Sequence, residues 1–179
     1  MTEVIKPKSR CIGIDLAPVI TSKDAIATTV WKEQPRTLRA DALTISPGDV
    51  TEDEIYSHEN DIAEDYDAIG TGRNASGSFI GMSADQLKDL VGGAVEGTGD
   101  AAMFLKTGKI NILNTAIRFR LKDGSAIILP NARGYVDIDL NLGATDGRFK
   151  CPFKLQSLAQ ADFDCDLIWV KKYSTGGGE

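Results

Sequence analysis

Along most of the chain apolar and polar residues alternate with the two-residue period of a half-buried strand. Between Arg10 and Ala17, Ile12, Ile14 and Leu16 fall on one face and Cys11, Gly13 and Asp15 on the other, and Pro18 closes the run. Ala25 to Lys32 (AIATTVWK) is rich in β-branched and aromatic residues and predicts a second strand, bounded by Ser22-Lys23-Asp24 and by Pro35. A third covers Ala42 to Ser46 and stops at Pro47-Gly48, and a short one covers Ser76 to Met82. After a glycine-dense connection from Gly92 to Gly99, hairpins follow: Met103 to Leu105, then Ile110 to Leu121. In the latter, Leu113, Ile117, Phe119 and Leu121 share one parity while Ile110 and Ile112 take the other, which predicts a bulge or a doubly buried start. Asp123-Gly124 is a tight-turn dipeptide leading into Ala126 to Leu129, which Pro130-Asn131 is expected to end. Tyr135 to Leu142 alternates throughout, predicting Val136, Ile138, Leu140 and Leu142 in the core and Tyr135, Asp137, Asp139 and Asn141 on a wet, acidic face. Asp146-Gly147 then turns into Phe149, Cys151, Phe153 and Leu155, and Phe163 to Tyr173 closes the sheet. Strands at this frequency, with turn dipeptides between them, predict a mainly β fold: an antiparallel β-sandwich or barrel.

Two stretches break the period. Ser83 with Gln86 three residues on forms a capping box, Leu87, Leu90 and Val91 repeat at helical spacing, and Gly92-Gly93 end the run. One short flanking α-helix over about 83–92 follows, too short to stand without a sheet beneath it. The other is a long acidic loop, 48–73. Between Asp49 and Asp67 it holds nine carboxylates and no Lys or Arg, so it must be solvated or face a partner. Its aromatic anchors, Tyr56 and Tyr66, together with Glu54, His58, Glu59 and Asp61, make it the candidate subunit-contact loop.

With 179 residues, the sequence fits one domain with an N-terminal arm (1–9) and a glycine-rich tail (174–179). A net charge of −6 speaks against a protein that grips nucleic acid, because neutralising phosphates needs a basic face. Cys11, Cys151 and Cys165 are widely spaced and odd in number, indicating reduced thiols rather than a disulfide framework or a zinc site. No signal-peptide pattern opens the chain and no run is apolar for the roughly 18 residues that span a bilayer, so no membrane partner is expected.

The motifs that could carry chemistry each have a plainer reading. Gly70-Thr-Gly72-Arg-Asn-Ala75 matches a dinucleotide-loop pattern, but it follows an acidic loop and precedes a strand, the reverse of the required context. His58 is the only histidine, so neither a two-histidine metal site nor a Ser or Cys nucleophile has a supporting partner. The carboxylates from Asp61 to Asp67 lack the sixth-position glycine of a calcium loop. Asp162, Asp164 and Asp166 read as a wet strand face rather than a catalytic pair, because alternation supplies no cleft. No catalytic residue, metal or cofactor is expected.

The order of elements carries a resemblance. Paired N-terminal strands, an acidic loop with Glu54-Ile-Tyr56-Ser-His-Glu-Asn60, a strand, one helix ending Leu87-Lys-Asp-Leu90-Val-Gly92, and hairpins carrying Ile128-Leu129-Pro130-Asn131-Ala132-Arg133 resemble the major tail tube proteins of long-tailed bacteriophages, over roughly Ala42 to Tyr173. The resemblance implies a β-sandwich with one flanking helix, assembled as stacked homohexameric rings into a hollow conduit for DNA. It also implies tape-measure, tail-terminator and distal tail proteins as partners and the virion tail, assembled in host cytoplasm, as location. Asp137, Asp139 and Asn141 are then the expected lumen-facing residues, because a pore that passes DNA without holding it should not be basic. The inner tube of a contractile injection apparatus is the nearest alternative, and a small-ligand-binding β-barrel is the alternative from another class.

Overall fold

The computed structural model describes residues 9–55, 65–143, 148–158, 163 and 165–172. In chain order the strands are β1 (Cys11–Ala17), β2 (Lys32–Glu33), β3 (Arg36–Thr37), β4 (Thr44–Ser46), β5 (Val50–Ile55), β6 (Asp65–Gly70), β7 (Asn74–Ile80), β8 (Ala94–Glu96), β9 (Met103–Leu105), β10 (Leu113–Leu121), β11 (Ala126–Val136), β12 (Asp139–Asn141), β13 (Arg148–Ser157) and β14 (Ile168–Val170). Helix α1 (Lys23–Thr28) precedes β2, helix α2 (Ala84–Val91) follows β7, and a single 3-10 turn spans Gly99–Ala101. The fold is mainly β, and every strand pair is antiparallel.

Ten strands form one sheet, with the path β2-β1-β10-β11-β13-β7-β3. Its two ends lie on the same stretch of chain. Lys32 pairs with Leu16 of β1, Arg36 with Ile80 of β7, and between them the Gln34 N–H donates to the Ile14 carbonyl at 2.9 Å. The 32–37 segment thus closes the sheet into a barrel, which removes the open edges that a flat sheet would leave. Strand β4 extends the β7 edge beside β3, and β14 lies on β11 beside β13. The enclosed core holds Ile14, Phe79, Ile117, Phe119, Leu129, Phe153 and Leu155, with the Phe79 and Phe153 rings stacked at 4.7 Å.

Helix α2 forms as its residues dictate. Ser83 N–H donates to Gln86 Oε1 (2.9 Å) while Gln86 N–H donates to Ser83 Oγ (3.3 Å), and Gly92 at φ 81° ends it. Asn111 Nδ2 donates to the free carbonyl of Leu90 (3.2 Å) at that end, and Leu87, Leu90 and Val91 are buried in the barrel core.

Several expectations are corrected. Ala25 to Lys32 is not a strand: Ser22 accepts from the Ala25 N–H at 3.3 Å and caps α1, so the chain is helical to Thr28 and only Lys32–Glu33 is strand. There are therefore two helices among the described residues rather than one. Ile12 is 53% exposed, because it is the extra residue of a bulge between Cys11 and Gly13. Pro130-Asn131 does not end a strand. These residues sit in a second bulge opposite Ala116, where a missing N–H breaks no ladder bond, and β11 runs on to Val136. This is also where the expected irregularity of 110–121 falls, since Ile110 and Ile112 precede the strand and are exposed. The 92–99 connection contains β8, paired with β9. The last strand is Ile168–Val170 only, and Asp162 and Asp164 lie outside the described residues.

Candidate functional site

Among the described residues the core is built from large side chains, with Phe79, Phe119 and Phe153 buried in one apolar cluster with Ile14, Ile117 and Leu129. Beyond that core, what the described residues offer are surfaces. Two-stranded ribbons leave the barrel, and their positions follow from the strand register.

The first is the acidic stretch. Its base is a ribbon, not a loop: Val50 to Ile55 pairs with Asp65 to Gly70, and Glu54 stands opposite Tyr66. The Thr71 N–H donates to the Asp49 carbonyl at 2.8 Å and ties the two ends together. Strands β5 and β6 pair with each other and with no other described strand. Tyr56, His58, Glu59 and Asp61 lie outside the described residues.

The second is the outer end of β12 and β13. Beyond Cys151, β7 no longer flanks β13, so Asp139–Asn141 and Arg148–Lys150 continue as a two-stranded ribbon with no third strand paired to it among the described residues. Leu140, cross-strand to Phe149, is 53% exposed, Phe149 41% and Leu142 84%, so the expected burial of Leu140 and Leu142 fails. The alternation itself is real, with Val136 buried and Ile138 packed on the core; it is the barrel wall that stops short. Met103 and Leu105 on β9 are likewise exposed, and the salt bridge from Lys106 Nζ to Asp137 Oδ1 (2.9 Å) joins the end of β9 to the start of this ribbon.

Asp137, Asp139 and Asn141 stand on that ribbon, but the face is not purely acidic. Lys150 Nζ lies 3.4 Å from Asp139 and 3.1 Å from Asp41. The Lys106 ammonium, helped by the Ile138 N–H, holds the Asp137 carboxyl below the usual carboxylate range. Asp41 also accepts from the buried Ser78 hydroxyl at 2.5 Å. A Ser–Lys pair near a carboxylate invites a catalytic reading, but hydrogen bonds to Asp41 and Asp139 raise the Lys150 pKa, and Ser78 already donates to Asp41. A protonated lysine cannot take the proton, so no nucleophile results.

Sequence reasoning missed one buried cluster. Asp15 is 2% exposed and its Oδ2 accepts from Arg118 Nε (2.8 Å) and meets Arg120 Nε (3.1 Å). Arg118 lies 4.6 Å over the Trp31 ring and Arg120 reaches Glu33. Gly13 makes room, since a Cβ there would lie 2.3 Å from Arg120 Nη2. The signal was present as two arginines of one parity facing an aspartate of the neighbouring strand. The cluster fastens the closing segment to β1 and β10. Among the described residues no group of His, Cys, Asp and Glu side chains could hold a metal ion, and no helix is long and apolar enough to cross a membrane.

Neither a known protein family nor a curated protein matches the sequence.

Proposed function

We propose that the chain is the structural subunit of a phage tail tube, which assembles into stacked rings as a conduit for DNA. The observation that carries the reading is the uncovered apolar side of the β12–β13 ribbon, Leu140, Leu142 and Phe149, on a domain whose own core is complete. Apolar side chains clustered on a free ribbon are the mark of a contact surface, and the ribbon's free edges can pair with another chain. The core of large apolar side chains among the described residues favours the same reading over a ligand-binding barrel, and the acidic β5–β6 ribbon supplies a second contact element.

If neighbouring subunits cover Leu140 and Leu142, the opposite side, with Asp139 and Asn141, faces the lumen. The Asp137 and Asp139 carboxylates there are partnered by Lys106 and Lys150, which engages those two lysines rather than leaving them to hold a phosphate. Tape-measure, terminator and distal tail proteins are the partners this assembly requires. Sedimentation of the full chain across a wide concentration range tests the reading: a shift from monomer to large species supports it, and a monomer at every concentration and salt contradicts it.

A further inference from the structure

The acidic stretch and the rest of the chain have opposite charge. Asp49 to Asp67 carries nine carboxylates and no Lys or Arg, while the remainder holds 20 basic against 17 acidic residues, so a segment of −9 leaves a body of +3. A segment so charged is drawn to a cationic surface, and one stands out on the barrel wall. Arg133 and Lys154 line the same depression of about 490 Å³, together with Tyr135, Gln156, Asn74 and Ser76. The register explains the grouping. Arg133 faces Gln156, Tyr135 faces Lys154, and on the far side of β13 Gln156 faces Asn74 and Lys154 faces Ser76, so the donors of three strands share one face. At Gly134 the strands approach so closely that a Cβ would lie 1.9 Å from the Lys154 carbonyl oxygen. Arg133 and Lys154 are both exposed, and neither forms an ion pair among the described residues, unlike Lys32, Lys106 and Lys150.

We propose that this depression is the receptor for the carboxylates of the β5–β6 ribbon of a second copy of the chain. Arginine offers a planar fork to a carboxylate, lysine a point charge, and Tyr135, Gln156 and Asn74 supply neutral donors around them. Ribbon and receptor are different surfaces of one chain: exchanged reciprocally they give a two-fold pair, and repeated head to tail they give the ring or filament that the self-assembly reading calls for. The inference rests on the self-assembly reading and names the two surfaces that meet.

The test is zero-length carbodiimide coupling of the full chain, using a mixture of isotope-labelled and unlabelled protein at low salt, with coupled peptides identified by mass spectrometry. The expected product joins Lys154 to a carboxylate of the 49–67 stretch in mixed-isotope pairs, and it fades as salt screens the contact. The double variant Arg133→Glu, Lys154→Glu alters only exposed side chains. It should keep the wild-type urea midpoint while requiring a protein concentration about tenfold or more higher to assemble. Coupling of Lys154 to the stretch within a single chain only would overturn the proposal. Assemblies in which the stretch couples to other lysines, or unimpaired assembly of the double variant, would overturn it while leaving self-assembly standing. A chain that never assembles would remove both.

Discussion

Replacing Asp15 by Asn tests whether the barrel is held shut by its buried charge cluster. The carboxylate is 2% exposed and one of its oxygens serves both Arg118 and Arg120, whose side chains are 12% and 17% exposed. Breaking a buried ion pair from one side destabilises by roughly 3–5 kcal/mol, because the remaining charge keeps its desolvation penalty and loses its partner. Here the low end applies. Asn retains an acceptor for one guanidinium, Arg118 keeps the Trp31 face, and Arg120 keeps Glu33. A loss of about 3 kcal/mol, with a urea slope near 2 kcal/mol per molar, lowers the unfolding midpoint by about 1.5 M. It lowers Tm by roughly 6–12 °C for a chain of this size. Glu33→Gln is the matched control: Glu33 is 72% exposed, so its loss should cost under about 1 kcal/mol. An Asp15→Asn midpoint within about 0.5 M of wild type, less than about 1 kcal/mol at the same slope, would refute the reasoning and make the cluster incidental to closure.

Leu90 is 5% exposed in the core cluster, so Leu90→Asp should cost several kcal/mol by burying an unpaired charge, read as a large fall in Tm. Leu140→Ser with Leu142→Ser should leave thermal stability within about 0.5 kcal/mol, since both are exposed, while abolishing assembly seen by sedimentation. Burial pushes the Cys151 thiol up to about 11, so at pH 8 an aromatic disulfide reagent should modify it only after urea unfolds the chain. The folded-state pKa of Asp137 is depressed by Lys106, so its contribution to stability is present above about pH 4 and disappears as pH falls through the lower folded value. Asp137→Asn should therefore flatten the acid limb of the stability curve and lower the urea midpoint by a constant amount across pH 6–8.

Where the pattern was local and the partner near in sequence, the residues announced the structure. The Ser83–Gln86 box, the Leu87, Leu90 and Val91 stripe, the Asp123-Gly124 turn and the buried parity of Ile117, Phe119 and Leu121 all read directly. Where the outcome depended on distant chain, reading failed. The β propensity of Ala25 to Thr28 yielded to a serine cap, with no described strand paired to those residues, and Pro130 sat inside a strand because a bulge absorbed its missing N–H. Leu140 and Leu142 carry the alternation of a core strand, yet whether a wall stands opposite them is decided by where β7 ends. The Asp15 cluster was hidden for the same reason: Asp15 and Arg118 are 103 positions apart, and only the register pairs them.

The central claim is that this chain builds tubes from copies of itself. Electron microscopy of the purified 179-residue chain tests it most directly: rings, or tubes of one diameter lengthening with concentration, are the predicted result. Fields of isolated monomers under every salt and concentration tried would contradict it.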